Sequence, residues 1–186
     1  MKSFNEKSRE SYNEKADHYD DTFDGRFTLE FKNRLLDEIS VYRGAHVLDV
    51  ACGNGTLIKM LADRHGIIGY GTDISEKMIE NARVKNPGMK FEAAGCEHMP
   101  FDEQCFDLLT VCAAYHHFPE VDAFAAEAYR IMKPKGYLYI ADVYYPTHLH
   151  FICKNIFIID QRPGSIYRIS TGKIRSSCKI KFDIAD

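Results

Sequence analysis

From His46 onward the chain alternates between short apolar runs and amphipathic stretches, and this alternation limits the fold more than any other feature. HVLDV (46–50) leads into glycines and then into Thr56 to His65, where Leu57, Ile58, Met60 and Leu61 fall at helical spacing. IIGYGTDI (67–74) reads as a second strand. Ser75 follows as an N-cap, with Met78, Ile79 and Ala82 on the next helix. MKFEAA (89–94) and the nearly continuously apolar FDLLTVCAA (106–114) predict a third and a fourth strand. Glu120 to Met132 puts Val121, Phe124, Ala125, Ala128 and Met132 on one helical face. Pro134 and Gly136 end that helix before a fifth strand, YLYIADVYY (137–145). Continuously apolar strands are covered on both faces, so the pattern predicts a mostly parallel sheet between helices. Right-handed crossovers make it a doubly wound α/β fold, whose ligands bind beyond the carboxyl ends of the strands.

The two ends of the chain differ from this core. Residues 8–20 are polar, with Tyr12, Ala16 and Tyr19 forming one thin helical stripe. Residues 28–40 form a better amphipathic helix, with Phe31, Leu35, Leu36 and Ile39 on one face. In the tail, His148 to Arg162 reads as a helix carrying Phe151, Ile152, Ile156 and Ile159. CKIKFDI (178–184) alternates strictly, as does a strand buried on one face, antiparallel or at an edge. One domain is expected over residues 1–186: helices over 1–40 covering the ligand site, a core over 45–145, and an atypical tail over 146–186.

The 24 basic and 27 acidic residues leave a net charge of −3, which implies no nucleic-acid partner. The six cysteines form no C-x-x-C pair, and several lie inside apolar runs, as core thiols of a reducing cytosol do. Metal ligation is not expected. The most apolar late segment, FICKNIFII (151–159), falls short of the ~20 apolar residues of a membrane span. The N-terminus lacks an apolar signal core. These features predict a soluble, cytoplasmic protein.

The chemistry is concentrated in HVLDVACGNGTL (46–57). Gly53 and Gly55 fill the first two positions of a dinucleotide-binding G-x-G-x-x-G, but Ile58 stands at the third. Asp49, inside the strand, faces a pyrophosphate badly and a cationic group well. Asp73 ends the second strand, where an acid accepts hydrogen bonds from ribose hydroxyls. Asp73 therefore indicates a nucleoside, while Asp49 and Ile58 argue against NAD. A nucleoside joined to an amino acid, S-adenosylmethionine, fits both.

The chain resembles the class I S-adenosylmethionine-dependent methyltransferases. It is most similar to the small-molecule "type 11" branch that includes the ubiquinone/menaquinone enzymes. LDVACGNG (48–55), GYGTDIS (69–75), CEHMPF (96–101), FDLLTVCAAYHHF (106–118) and RIMKPKGYLYIAD (130–142) carry the resemblance in the family's order. YNEKADHYD (12–20) resembles the helix that closes over the cofactor. The resemblance implies a Rossmann-like fold and a cofactor site of named residues. Asp49 faces the methionine amino group through the loop, and Ala51, Cys52, Gly53, Asn54 and Gly55 wrap the methionine part. Asp73 holds the ribose, Ile74 and Met78 flank the adenine, and Cys96 and Glu97 lie at its edge. Ala113 offers a carbonyl to the amino group, and Tyr19 packs near the sulfonium.

The chain departs from the family pattern in places. Gly95 stands where the family has an acid for the adenine amino group, which leaves adenine to backbone groups or water. K-P-K-G replaces K-P-G-G, with Lys135 on an exposed turn. Only one candidate strand follows residue 145, so the sheet is expected to be one strand short. Its edge is then covered by the 148–162 helix or by a second copy of the chain.

Methyl transfer from a sulfonium is an in-line displacement, in which positioning supplies about 7–11 kcal/mol. A base is needed only for a protonated oxygen or carbon acid. His116 and His117 follow strand four, and His117 is the candidate catalytic residue, in competition with a purely structural role for the pair. The expected activity is methyl transfer to a small-molecule acceptor. The alternatives are a cofactor-binding but catalytically idle relative and an NAD(P)-dependent enzyme.

Overall fold

Five parallel strands carry the fold in the computed structural model, which describes residues 3–142, 155–160 and 168–169, the last two segments by backbone alone. β1 (His46–Val50), β2 (Ile68–Asp73), β3 (Lys90–Ala93), β4 (Phe106–Cys112) and β5 (Met132–Asp142) lie side by side in the order β3-β2-β1-β4-β5. The chain winds outward from β1 in both directions, so the crevice between β1 and β4 is the topological switch point of the sheet.

Helices cover both faces. α1 (Phe4–Lys15), α2 (Phe23–Glu38), α3 (Thr56–His65), α4 (Glu76–Lys85) and α5 (Val121–Ile131) complete the described elements apart from the tail and two 3₁₀ turns. Alternation along the strands divides the core. Val47, Leu108 and Tyr139 pack with Phe31, Leu35, Leu57, Ile58 and Ile79 on one side. Leu48, Leu109, Leu138 and Ile140 pack with Phe124, Ala128 and Ile131 of α5 on the other. Each such side chain contributes about 1.5–3 kcal/mol on burial. Ile58 is fully buried in the first cluster, where its branched side chain fills the helix–sheet contact.

The N-terminal segment differs from the expected single helix over 8–20. α1 opens on a capping box between Ser3 and Glu6 and stops at Lys15, and Ala16–Asp21 tightens into a 3₁₀ turn. The turn forms because Thr22 caps α2, accepting from Gly25 N while its hydroxyl donates to Tyr19 O. Gly25 permits the close approach, since a Cβ there would collide with Tyr19 O. α2 therefore begins five residues before the expected 28, at Phe23. β5 likewise begins at Met132 rather than 137, pairing first with Phe106, and its register shifts before Tyr137 meets Leu108.

The tail corrects two expectations. Asn155–Asp160, inside the expected 148–162 helix, forms β6, antiparallel to β5. Arg168–Ile169 forms β7, antiparallel to β6. Ile156, Phe157, Ile158 and Ile159 are β-branched or aromatic in succession, a composition that favours a strand beside an open edge. Among the described residues the sheet therefore has seven strands rather than one too few, and β6 covers the edge that invited a second copy. The expected strand at 178–184 lies outside the described residues. No helix among the described residues is long and apolar enough to cross a membrane.

Candidate functional site

The carboxyl ends of β1, β2 and β4 open into a cleft of about 900 Å³, its mouth included. Two alanines form part of its wall at the strand ends. Ala51 after β1 has φ of 56° and Ala113 after β4 has φ of 53°. A non-glycine residue in this region carries strain of order 1 kcal/mol, and such strain concentrates where a backbone must present its polar groups to a ligand. Cys52 N donates to Thr72 O and Ala113 N to Ala141 O, so both turns are anchored to neighbouring strands. Gly53 needs its positive φ of 53°, and no atom lies within 4 Å of where its Cβ would stand. The loop backbone is thus bare toward the cavity. Asn54 Oδ1 is buried on the same wall without a hydrogen-bond partner among the described residues.

Asp73 joins the loop to the second strand. Its Oδ2 accepts from Gly53 N and its Oδ1 from Ser75 N, each at 2.9 Å. Burial raises its pKa, and the amides of Ser75, Gly53 and Ile74 oppose that rise. Each carboxylate oxygen keeps a second lone pair for a hydroxyl donor. Ile74, just after β2, and Met78 of α4 continue the wall, and Cys96 and Glu97 continue it beyond β3. A Cβ on Gly95 would stand 2.6 Å from Glu97 Oε2. The Glu97 carboxylate therefore occupies the space a side chain at 95 would take.

The roof comes from the N-terminal segment. Asn5, Ser8 and Tyr12 of α1 line the cleft, as does Tyr19 of the 3₁₀ turn. Tyr12 meets Tyr19 edge-on at 6.2 Å and His117 edge-on at 6.1 Å. Burial raises the pKa of both tyrosines, so their hydroxyls stay protonated. His117 lines the cleft, and burial, followed by the field of His116, lowers its pKa from 6.5. Its ring lies 3.9 Å from that of His116. Asp142 holds His116 twice, at the backbone N (3.0 Å) and at Nδ1 (2.7 Å).

Most of the expected site residues therefore share one cavity: Tyr19, Ala51, Cys52, Gly53, Asn54, Asp73, Ile74, Met78, Cys96, Glu97, Ala113 and His117. Two stand behind the wall. Gly55 caps α3 at φ of 74°, where a Cβ would meet Asn86 Nδ2 at 2.8 Å and Phe91 at 3.2 Å, so packing requires the glycine. Asp49 is buried in β1 and accepts from Thr110 Oγ1 of the adjacent strand at 2.7 Å. Burial pushes its pKa up to about 7. Thr28 and Lys32 of α2 line the cleft and were not anticipated from the sequence. The available signal was Thr28 standing three residues before Phe31 and seven before Leu35, on the apolar stripe of α2.

Comparison with known proteins gives the family of the chain. Residues 48–140 match the methyltransferase domain family. The chain is 29% identical over 126 residues to the demethylmenaquinone methyltransferase of Lactobacillus johnsonii, covering 63% of this chain and 52% of that one. It is 35% identical over 103 residues to the ubiquinone/menaquinone biosynthesis C-methyltransferase of Rickettsia felis, covering 50% of this chain and 42% of that one. The chain thus spans about half the length of these curated relatives. A chain from a complex of the Haloferax volcanii Trm112 methyltransferase activator superposes with a TM-score of 0.67 at 27% identity, over 73% of this chain and 61% of that one. A SAM-dependent methyltransferase from Aquifex aeolicus shares the fold, with a TM-score of 0.59 at 24% identity, over 74% of this chain and 77% of that one.

Proposed function

The chain belongs to the methyltransferase domain family, and from that premise we propose that it binds S-adenosylmethionine in this cleft and transfers the methyl group to a small-molecule acceptor. The observation that carries the reading is Asp73 bound to Gly53 N, which fuses the glycine loop and the acid of the second strand into one wall. A nucleoside acid and a bare loop backbone are what a ribose and its 5′ substituent require. The unpartnered Asn54 Oδ1 suits a cationic ammonium donor and suits a pyrophosphate badly. The buried Ile58 leaves none of the glycine contact that a dinucleotide loop uses.

The bound sulfonium supplies an activated methyl group. The chain's own residues do the rest. Asp73 takes the ribose hydroxyls, and Ile74 and Met78 flank the base. Glu97, folded over Gly95, takes the place of the missing acid at the adenine amino group. Ala51, Cys52, Gly53, Asn54 and Ala113 hold the amino-acid part with backbone and side-chain groups, and Gly55 shapes the loop from behind. Asp49 acts on the amino group at a distance, through the loop. Tyr12 and Tyr19 exclude water from the roof. His117, kept neutral by burial, accepts a proton from an acceptor that carries one.

Two of the curated relatives are named for quinone biosynthesis, so demethylated quinone precursors head the acceptor panel. The test is release of S-adenosylhomocysteine on mixing protein, S-adenosylmethionine and each acceptor. Acceptor-dependent release supports the reading. Cofactor binding without release on a broad panel of phenols, amines and thiols would instead support a catalytically idle relative.

A further inference from the structure

His117 lines the cleft, but no hydrogen bond among the described residues fixes its ring. The ring meets Tyr12 edge-on at 6.1 Å and lies 3.9 Å from the His116 ring, tilted by 43°. The His116 ring, by contrast, is held. Asp142 ends β5 and is buried, and its two oxygens accept from His116 N at 3.0 Å and bond His116 Nδ1 at 2.7 Å. An ionised carboxylate only accepts, so Nδ1 donates and the neutral imidazole leaves its Nε2 without a proton. The backbone of this 3₁₀ turn, Tyr115–His117, is closed on its own by His117 N to Ala114 O and Phe118 N to Tyr115 O. The bond from Asp142 to the ring therefore adds something the turn does not need. It fixes the plane of the imidazole that backs His117.

We propose that Asp142 and His116 are positioning residues for His117: the carboxylate locks the His116 ring, and that ring holds the His117 imidazole against Tyr12 at the acceptor end of the cleft. This rests on the reading of His117 as proton acceptor and extends it. When the proton of an O–H acceptor passes to His117, the oxygen's electron pair forms the bond to the methyl carbon, the carbon–sulfur bond breaks, and His117 becomes an imidazolium. Asp142 and, after it, Asp24 favour that cation. His116, when charged, opposes it, as does Lys15, whose Nζ stands 5.9 Å over the Tyr12 ring. The acceptor class this arrangement serves is a phenol or alcohol, whose proton must leave. A neutral amine has its electron pair free and gains little from it.

Imidazole NMR on the whole chain tests the positioning without any substrate. In wild type, ¹H–¹⁵N spectra are expected to show His116 as the Nδ1–H tautomer; the Nε2–H tautomer would overturn the proposal, and this reading stands even where a variant does not fold. Asp142→Asn removes the charge at nearly the same shape, and His117 is then expected to titrate lower than in wild type, by roughly half a pH unit. A carboxylate that only braced the turn predicts the opposite sign, because a loosened His117 gains water and titrates upward, toward 6.5. That rise, or no change, overturns the proposal. With a phenol as acceptor, Asp142→Asn should lower kcat about 10-fold with KM within about 3-fold, and move the acid limb of the pH profile down alongside the NMR titration. An amine acceptor should lose less than about 3-fold, and equal losses for both would overturn the assignment of acceptor class. Absence of turnover in wild type overturns the proton-acceptor reading instead, a result distinct from the NMR outcomes.

Discussion

Asn13 Oδ1 accepts a hydrogen bond of 2.6 Å from Ser75 Oγ, tying the roof helix α1 to the first turn of α4. The same oxygen accepts from Lys77 N at 3.2 Å, and Asn13 Nδ2 donates to Glu76. Ser75 N meanwhile donates to Asp73 Oδ1. The roof and the proposed ribose acceptor are therefore two residues of hydrogen bonding apart. α1 buries no residue of its own, so these contacts and exposed pairs such as Arg9–Glu76 hold it down. Exposed pairs contribute little each, so Asn13 and the half-buried Tyr12, edge-on to Tyr19 and His117, are the main ties.

Asn13→Ala is expected to loosen the roof without unfolding the core. Loss of its three hydrogen bonds, two of them part-buried, corresponds to about 1–2 kcal/mol, or roughly a 5- to 30-fold loss of S-adenosylhomocysteine affinity. Calorimetry reads the affinity. Protection of the α1 amides from hydrogen exchange reads the roof, and it should fall in the variant while β1 and β4 stay protected.

Asp49 makes stability depend on pH. Its folded pKa of about 7 lies above its ordinary 3.8 because burial penalises the charged form. In the range between those values the folded state binds more protons than the unfolded one. Stability therefore falls as pH rises through that window and levels off above it. Urea denaturation at pH 5 and pH 8 should show a loss for wild type on the order of 1–3 kcal/mol, and a smaller loss for Asp49→Asn. Equal losses in the two proteins would remove Asp49 as the source.

His117 should titrate below 6.5 when followed by its imidazole NMR signals, because burial and the His116 field both disfavour its charged form. Tyr12→Ala opens the roof over the ring and readmits water, and the titration should move upward. His116→Asn should move it in the same direction by removing the second cause. A His117 that titrates identically in all three proteins would contradict the buried placement.

Lys135 sits exposed at φ of 68°, in a conformation that disfavours residues other than glycine. Lys135→Gly relieves about 1 kcal/mol of backbone strain, partly offset by the greater entropy of glycine in the unfolded chain. A stability gain of about 0.5 kcal/mol in urea denaturation is expected, with unchanged affinity for S-adenosylhomocysteine, since Lys135 does not line the cleft.

The parallel core was legible because its strands are buried on both faces. β1 and α3 appear in the structure at their expected bounds, and Ser75 caps α4 as its position suggested. Gly53 and Asp73 were legible from their places at strand ends, whereas Ala51, Asn54, Ile74, Met78, Cys96, Glu97 and Ala113 were expected only through the resemblance of the surrounding motifs to the methyltransferase family. The roof was harder to read. The break between α1 and the 3₁₀ turn depends on Thr22 and on the absent Cβ of Gly25, contacts made after the chain folds back on itself. The Asn155–Asp160 segment has apolar residues compatible with either period, and pairing with β5 selects the strand. The placement of Asp49 was legible only in part. Its position in β1 was clear, but its pairing with Thr110 depends on the register of two strands far apart in sequence.

The most direct test of the central claim is calorimetric titration of the protein with S-adenosylhomocysteine, alongside Asp73→Ala and a matched titration with NADH. The account predicts micromolar binding of S-adenosylhomocysteine by wild type, a loss of at least ~10-fold in Asp73→Ala from its lost hydroxyl contacts, and no binding of NADH. NADH binding in place of S-adenosylhomocysteine, or binding of S-adenosylhomocysteine that ignores the loss of Asp73, would contradict it.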